Sequence, residues 1–307
     1  MSTFSAFSLR AHAKVNLSLR VLDLRADGYH NLETVFQALG LHDTLDFEPH
    51  EGPLTLSCDM PGVPLDEQNL VWRAGRLIWD CAKGRGEPSG VHVRLRKRIP
   101  AQGGLGGGSS DAATALVGFA RLWLPHEDVP ILADMGVTVG ADVPFFLCGG
   151  TALGLNRGDR VFPLADIEPR YVALVFPPFG VSTPTAYKWL DEERVEGVPG
   201  ASFGRDLLLA GSVKLPVGNQ LEAPVARRHP EIGQVRDALI AFGAEAAAMS
   251  GSGSTVFGLF EVREQAARAV SALRREGWNT LLTRTASRRQ SSAGAPVLVR
   301  TRSSRID

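Results

Sequence analysis

The clearest pattern in the chain is a strict alternation of apolar and polar positions from Leu9 to Val21. A period of two predicts a β-strand with one buried face. Taken alone, the polar face is typical of a sheet surface that is exposed to solvent. Its members are His12, Lys14, Asn16, Ser18 and Arg20.

Other periodic segments predict further elements. The turn signal Asp27-Gly28 ends the first strand. Further strands are predicted over residues 33–41, 43–47, 91–99, 171–176, 256–260 and 278–283. Helices are predicted over 69–83, from about 109 to 123, and over 185–190, 219–229, 231–242 and 263–276.

Strands and helices occur in both halves without regular βα alternation, so the predicted fold class is α+β. The length of 307 residues suits two domains, which we place at 1–160 and 161–284. Residues 285–307 are basic and carry no aromatic residue, so we expect a mobile tail whose deletion from Arg288 leaves stability and catalysis intact.

Val137–Leu155 is apolar except for one charge, Asp142. Pro144 and four glycines would make it a poor membrane-spanning helix, so we interpret it as buried structure instead. Asp142 would then be a carboxylate in apolar surroundings, and such groups usually have a partner or a function.

The composition of the chain bears on which kinds of partner it can bind. The 33 basic and 33 acidic residues balance, so we expect neither nucleic acid nor membrane as a partner. Three cysteines and seven histidines lack metal-ligand spacing, which predicts no structural metal site. The odd cysteine count and the absence of a signal-peptide pattern predict a cytoplasmic protein.

The segment with the most specific chemistry follows Pro100. Gly103–Gly108 contains five glycines and leads into Ser109-Ser110-Asp111 and an apolar helical period. A serine here would cap the helix, and Asp111 would suit its positive end. A flexible linker would not normally lead into a capped helix, whereas a glycine turn at a helix start binds phosphate. The sequence lacks the lysine of a P-loop and the βαβ unit of a Rossmann site.

These residues resemble a known family. Pro100–Ser110 is similar to the phosphate-binding motif of the GHMP small-molecule kinases. Four more segments that fit the family follow the same order: Ala13–Leu17, Arg25–His30, Gly140–Pro144 and Ser250–Gly253. The resemblance spans about 9–283 and implies a two-domain fold with the active site in the cleft between the domains.

The resemblance also implies roles. ATP and the Mg²⁺ that it carries would be held by Pro100, Ala101, Gln102, Gly103, Gly104, Leu105, Gly106, Gly107, Gly108, Ser109 and Ser110. Asn69 and Lys97 match positions near the adenine, although Lys97 fits a plain solvent role equally well. Some GHMP kinases supply a glutamate to the metal, but this sequence has no obvious equivalent beside the glycine loop, so the resemblance leaves the protein ligands of Mg²⁺ open.

For catalysis, Asp142 would accept the proton of the attacking hydroxyl. Lys14 would keep Asp142 ionised and offset charge on the phosphoryl group, while Asn16 would orient the acceptor. A purely structural salt bridge between Lys14 and Asp142 is the alternative. Tyr29 and His30 match positions that bind a cytosine, and Tyr187 is a candidate for its other face.

The implied reaction is the ATP-dependent phosphorylation of the 2-hydroxyl in the methylerythritol part of a cytidine-diphosphate sugar alcohol, a step of the non-mevalonate isoprenoid pathway. One alternative is another GHMP enzyme, such as a homoserine or sugar kinase or a decarboxylase. A second is a non-catalytic nucleotide- or RNA-binding module. We expect a monomer or a weak homodimer.

Overall fold

A computed structural model describes residues 4–101, 103–124, 129–193 and 217–293. Its larger sheet has the order β3-β4-β2-β1-β8, with β5 paired to β2 and β6 paired to β5. These strands are β1 (Phe7–Leu24), β2 (His30–Pro53), β3 (Thr55–Cys58), β4 (Ser89–Arg96), β5 (Thr151–Leu155), β6 (Arg160–Pro163) and β8 (Gly218–Asn219). The predicted strands 33–41 and 43–47 are thus parts of one long strand, β2.

The smaller sheet is antiparallel and has the order β11-β7-β10-β9. Its strands are β7 (Tyr171–Phe176), β9 (Ala246–Met249), β10 (Val256–Phe260) and β11 (Asn279–Arg284). The α+β class and the two-domain fold are confirmed.

Helices cover both sheets. Those of the first half are α1 (Leu70–Cys81), α2 (Gly107–Trp123), α3 (Val129–Val139) and α4 (Val143–Cys148). Those of the second half are α5 (Thr183–Glu193), α6 (Glu222–Arg228), α7 (Glu231–Ala241), α8 (Arg263–Arg275) and α9 (Arg288–Ser291). The apolar segment 137–155 is divided among α3, α4 and β5, and no helix in the described ranges has the length and apolar character to cross a membrane.

Strand β1 connects three hydrophobic clusters. Its first apolar residues, Leu9 and Ala11, belong to the core of the larger sheet and α2, and its last ones, Leu19 and Val21, belong to the core of the second half. Between them, Ala13, Val15 and Leu17 pack in a cluster that also contains residues of β7 and β10. The two halves therefore share the middle cluster.

The expectation that the polar face of β1 is exposed to solvent is wrong. His12, Lys14, Asn16 and Ser18 are all buried. The register of β1 against β2 shifts between His12 and Lys14 and again between Asn16 and Ser18, so strict alternation does not hold along the strand. Near the start of α2, the Ser110 hydroxyl donates a hydrogen bond to the carbonyl of His12 at 2.7 Å, and a Cβ on Gly106 would lie 3.3 Å from the Lys14 side chain. The start of α2 and the residue before it thus cover positions that alternation alone assigned to water.

The expectation of a mobile tail from Thr285 is also wrong for Thr285–Ala293, which pack on the larger sheet. Thr285 forms a β-bridge with Leu39, and both Ala286 and Ser291 are buried. Helix α9 is closed by a capping box between Ser287 and Gln290. Residues 294–307 of the predicted tail lie outside the described residues.

Buried His12 makes stability depend on pH. Burial is the largest cause that lowers its pKa to about 4, with nearby His42 and Arg10 adding to it. The unfolded chain then binds more protons than the folded one between pH 6.5 and 4, so stability falls as pH falls through that window. We expect a loss of about 2 kcal/mol from this group between pH 7 and pH 5.

Urea unfolding at both pH values measures this loss. His12→Gln, which does not titrate, should show a smaller difference between the two pH values than the wild-type protein. His50→Gln, at an exposed position, should leave the difference unchanged. An equal pH dependence in His12→Gln and the wild type would contradict the assignment.

Candidate active site

A cleft of about 1330 Å³ is lined by residues from both halves. The glycine loop, Gly103–Gly108, and a second loop, Ser250–Gly253, meet at its base. The Ser250 hydroxyl donates to the carbonyl of Gly104 at 3.0 Å. The amide of Lys14 donates to the carbonyl of Leu105 at 3.1 Å, which fixes the first loop to β1.

Glycine is required at two positions of the first loop. Gly104 and Gly106 both have φ of +71°, which other residues rarely adopt. A Cβ on Gly104 would collide with the carbonyl of Ser250, and one on Gly106 would lie 2.6 Å from the Phe146 ring. Gly106 directly precedes α2 and replaces the predicted serine cap, so the helix begins earlier than expected.

Only part of the predicted ATP motif reaches the cleft. Within the described part of 100–110, the residues that line it are Gly104, Gly106 and Ser109. Ser110 is buried, and its amide donates to the carbonyl of Gly106. Of the two serines, Ser109 is thus the one available to a ligand. Gln102 lies outside the described residues; Pro100, Ala101, Gly103, Leu105, Gly107 and Gly108 complete the loop around the cleft-lining positions.

Lys14, Asn16 and Asp142 come together at the base of the cleft. The Lys14 Nζ donates to Asn16 Oδ1 at 2.7 Å and lies 3.6 Å from Asp142 Oδ2. The Lys14 side chain is 5% exposed, whereas that of Asp142 is 32% exposed. A ligand can therefore reach the carboxylate, while the ammonium stabilises its charge from inside the protein.

Asn16 is held in turn by Thr34. The Asn16 Nδ2 donates to Thr34 Oγ1 at 2.7 Å, and this hydroxyl donates to the carbonyl of Ser18. The chain of donors fixes the Asn16 amide so that its oxygen faces Lys14. Thr34 was not predicted; it pairs with Leu19 of β1, just beyond Ala13–Leu17, and one sequence does not reveal that pairing.

The second loop has its own anchor, which sequence analysis also missed. Asn219 in β8 donates through Nδ2 to the carbonyls of Met249 and Gly251, at 2.8 and 2.7 Å. Its backbone pairs with Leu19 of β1. Asn219 therefore joins the loop of the second half to the strand that carries Lys14.

Lys97 lies in a buried group of three charges. Its Nζ donates to Asp43 Oδ2 and to Asp111 Oδ2, both at 2.5 Å. The solvent alternative for Lys97 is therefore wrong. Burial lowers its pKa, but the attraction of Asp111 and Asp43 outweighs burial and leaves the pKa above its usual value. Burial raises the pKa of Asp111 to about 7, and the nearby Asp43 carboxylate also raises it. Lys97 lowers it, but its one ammonium is shared between the two carboxylates.

Asn69 caps helix α1. Its Oδ1 accepts a hydrogen bond from the amide of Val71 at 2.9 Å, and its Nδ2 donates to the carbonyl of Pro64.

Lys97 is 3.5 Å from the place that a Cβ on Gly107 would occupy, so Lys97 adjoins the glycine loop.

The predicted base-binding residues line the other end of the cleft. His30 and Tyr187 stack on each other with ring centroids 5.4 Å apart. The His30 Nε2 donates to Asp191 Oδ1 at 3.0 Å. Tyr29 is 60% exposed, and the Arg157 guanidinium lies 5.5 Å from its ring centre. Asp191 and Arg157 were not predicted; Asp191 follows Tyr187 by one helical turn, which is the signal that could have indicated it.

Comparison with known proteins agrees with this geometry. The family model for the N-terminal domain of GHMP kinases matches residues 69–150, and the model for the C-terminal domain matches residues 201–279. The chain belongs to the GHMP kinase family and is an ATP-dependent phosphotransferase. The family resemblance of the sequence motifs is confirmed.

Within this family, the chain is similar to proteins named 4-diphosphocytidyl-2-C-methyl-D-erythritol kinase. It is 41% identical to that of Deinococcus radiodurans over 87% of this chain and 89% of the relative. It is 39% identical to that of Pelotomaculum thermopropionicum, over 90% and 96%.

Solved structures give the same result. A crystal structure of 4-(cytidine 5'-diphospho)-2C-methyl-D-erythritol kinase has a TM-score of 0.74 and 37% identity, covering 92% of this chain and all of that one. Homoserine kinase from Cytophaga hutchinsonii has a TM-score of 0.66 at 18% identity, over 95% and 98%, and shares the fold.

The glycine loop yields a prediction for nucleotide binding. Gly106→Ala would force an alanine into the left-handed region and against Phe146, which displaces the loop amides. We expect the KM for ATP to rise about tenfold, since the strain costs about 1–2 kcal/mol. Steady-state kinetics measure it.

Gly233→Ala in α7 is the control, because a Cβ there meets open space. That variant should keep the KM and gain a little stability, because alanine favours a helix. An unchanged KM for ATP in Gly106→Ala would show that the loop conformation does not govern ATP binding.

Proposed function

We propose that this protein transfers the γ-phosphoryl group of ATP to the 2-hydroxyl of 4-diphosphocytidyl-2-C-methyl-D-erythritol in the non-mevalonate route to isoprenoid precursors. The products are the 2-phosphate and ADP. The observation that carries the proposal is that one cleft is lined both by Lys14, Asp142 and glycines of the loop and by the rings of Tyr29, His30 and Tyr187. Relatives of that name at about 40% identity support it.

The transfer step follows from the base of the cleft. The acceptor oxygen forms a bond to the γ-phosphorus, the bond from that phosphorus to the bridging oxygen of ADP breaks, and the acceptor proton passes to Asp142. Lys14 offsets the negative charge of Asp142 and of the phosphoryl group that is transferred. Asn16 orients the acceptor by a hydrogen bond from or to its side-chain amide. Because phosphoryl transfer mainly requires positioning and charge stabilisation, few groups are needed.

At the ATP end, we assign the phosphates to the amides of the glycine loop and the start of α2, where the helix dipole favours negative charge. Ser109 faces this region, and Mg²⁺ enters with ATP, keeping water ligands. We assign Asn69 and Lys97 to the adenine side. Lys97 has one ammonium hydrogen beyond the two that its aspartates accept, so it can still donate to a ligand.

At the other end, we assign the cytosine to Tyr29, His30 and Tyr187. His30 donates Nε2–H to Asp191, which leaves its Nδ1 to face the 4-amino group of cytosine. A base between His30 and Tyr187 would need about 7 Å between the rings. Their centroids are 5.4 Å apart, so Tyr187 must move or the base must stack elsewhere. We place the reaction in the cytoplasm, with a monomer or a weak homodimer.

The proposal is tested with a coupled ADP-release assay over a panel of acceptors: the cytidylyl methylerythritol, homoserine and simple sugars. Turnover with the cytidylyl compound is the expected result. Turnover confined to homoserine or a sugar would instead assign another activity within the family.

Asp142→Asn tests the base. It removes the proton acceptor with little change of volume, so we expect kcat to fall by ~10²–10⁴-fold. ATP binding, measured by calorimetry, should persist, because the glycine loop is untouched. Near-normal kcat would reduce the Lys14–Asp142 pair to the structural salt bridge of the alternative interpretation.

Substrate recognition yields a separate prediction. His30→Ala should weaken the cytidine acceptor by about 1–3 kcal/mol, because it leaves a polar edge of the base unpaired. The same variant should also show a smaller difference in KM between the cytidine acceptor and its uridine analogue. Tyr29→Ala should weaken both pyrimidines alike, because stacking tolerates any flat ring. Acceptor KM values measure both effects, with the KM for ATP as the control; unchanged acceptor KM values in both variants would contradict the base assignment.

A further inference from the structure

The segment Thr285–Ala293, here named the docking segment, is attached to the larger sheet along its whole length. The Ala286 amide donates to the carbonyl of Ala38 at 2.8 Å, and the Gln37 side chain donates to the carbonyl of Ala286 at 3.0 Å. These bonds extend the bridge between Leu39 and Thr285. Ala286 is also buried in the core of the larger sheet, so hydrogen bonds to β2 and one apolar side chain hold this end of the segment.

Arg288 attaches the segment to β5. Its guanidinium donates to the carbonyls of Thr151 and Leu164, at 2.8 and 2.9 Å. Its amide donates to Asp166 Oδ2, while Asp166 Oδ1 accepts from the amide of Thr151. One arginine and one aspartate thus join the docking segment to the start of the strand that follows α4.

The segment then reaches α4 itself. The amide of Ala293 donates to the carbonyl of Phe146 at 2.9 Å, and the amide of Gly150 donates to the Ser291 hydroxyl at 2.9 Å. At Gly149, which ends α4, a Cβ would lie 2.5 Å from the amide nitrogen of Ser292. The docking segment therefore packs directly on the last turn of this helix.

The opposite end of α4 carries the proposed base. Asp142 immediately precedes Val143, the first residue of the helix. Between the ends, the Phe146 ring packs against Gly106 of the glycine loop. A helix of six residues is about 9 Å long and is not stable by itself, so its position depends on its contacts.

We infer that the docking segment is a positioning element for phosphoryl transfer, which acts by holding α4 and, through it, Asp142. The inference rests on the proposed role of Asp142. Arg288 is thereby a positioning residue. Its guanidinium binds the carbonyl of Thr151, the first residue of β5, which directly follows the turn at the end of α4. A displacement near 1 Å at a reacting group can cost about 100-fold in rate.

Arg288→Ala tests the inference, with Arg289→Ala as the matched control, since it removes the same charge from an exposed neighbour. We expect Arg288→Ala to lower kcat by about 10-fold or more, Arg288→Lys to restore part of it, and Arg289→Ala to have little effect. Each assay is run at a temperature where circular dichroism shows the variant folded. Full kcat in Arg288→Ala would overturn the inference.

A double-mutant cycle with Asp142→Asn separates positioning from general damage. If Arg288 acts through Asp142, its effect on kcat should nearly vanish when the base is already absent. An equal loss in both backgrounds would overturn the inference. If Asp142→Asn alone keeps full kcat, the proposed role of Asp142 fails, which is a different result from a failed Arg288 effect.

Truncation gives a second comparison. A chain that ends at Ala293 keeps the docking segment and should match the full chain in kcat and melting temperature. A chain that ends at Arg284 should lose kcat, and should regain part of it on addition of a peptide of residues 285–293. If the chain that ends at Arg284 has a lower melting temperature but keeps full kcat below its unfolding transition, the inference is overturned.

Discussion

The structure depends on one constraint: a lysine lies at the centre of a strand that is buried on both faces. An unpaired cation at Lys14 would cost several kcal/mol. Asn16, on β1, accepts a hydrogen bond from the ammonium, and the carboxylate of Asp142, just before α4, balances its charge. The Phe36 ring lies 5.5 Å from the ammonium. Because these partners come from separate segments, burying Lys14 requires that the sheet, α4 and the glycine loop assemble together.

The same strand anchors the base of the cleft. The apolar side of β1 contributes to three cores, the middle one shared by the two halves. Ser250 and Asn219 connect the second half to β1 and to the glycine loop by hydrogen bonds. Reactive groups on well-packed strands, with loops held by buried side chains, are the arrangement that catalysis by positioning requires.

Much of this could be predicted from the sequence. Alternation indicated β1, helical periods indicated α1 and α8, and the motifs indicated the family. The polar positions of β1 were wrongly assigned to solvent, because a period of two in the sequence reveals neither the register shifts within β1 nor the groups that cover its polar residues. The start of α2 was misplaced because a left-handed glycine, rather than a serine side chain, precedes it. The docking segment was missed because it packs through backbone groups and Arg288, which leave no hydrophobic period.

The two ends of the cleft differ in how much water reaches them. Lys14 is 5% exposed, whereas Tyr29 is 60% and the Asp191 side chain 46% exposed. Water reaches the Asp191 carboxylate at the proposed base-binding end, although His30 itself is buried, so the hydrogen bond between them is screened from one side until a ligand covers it. At the catalytic end, the low dielectric keeps the attraction between Lys14 and negative groups strong before any ligand arrives. With the proposed roles, the phosphoryl-transfer end is thus organised before a ligand binds, whereas the contacts to the base of the acceptor strengthen as the acceptor displaces water.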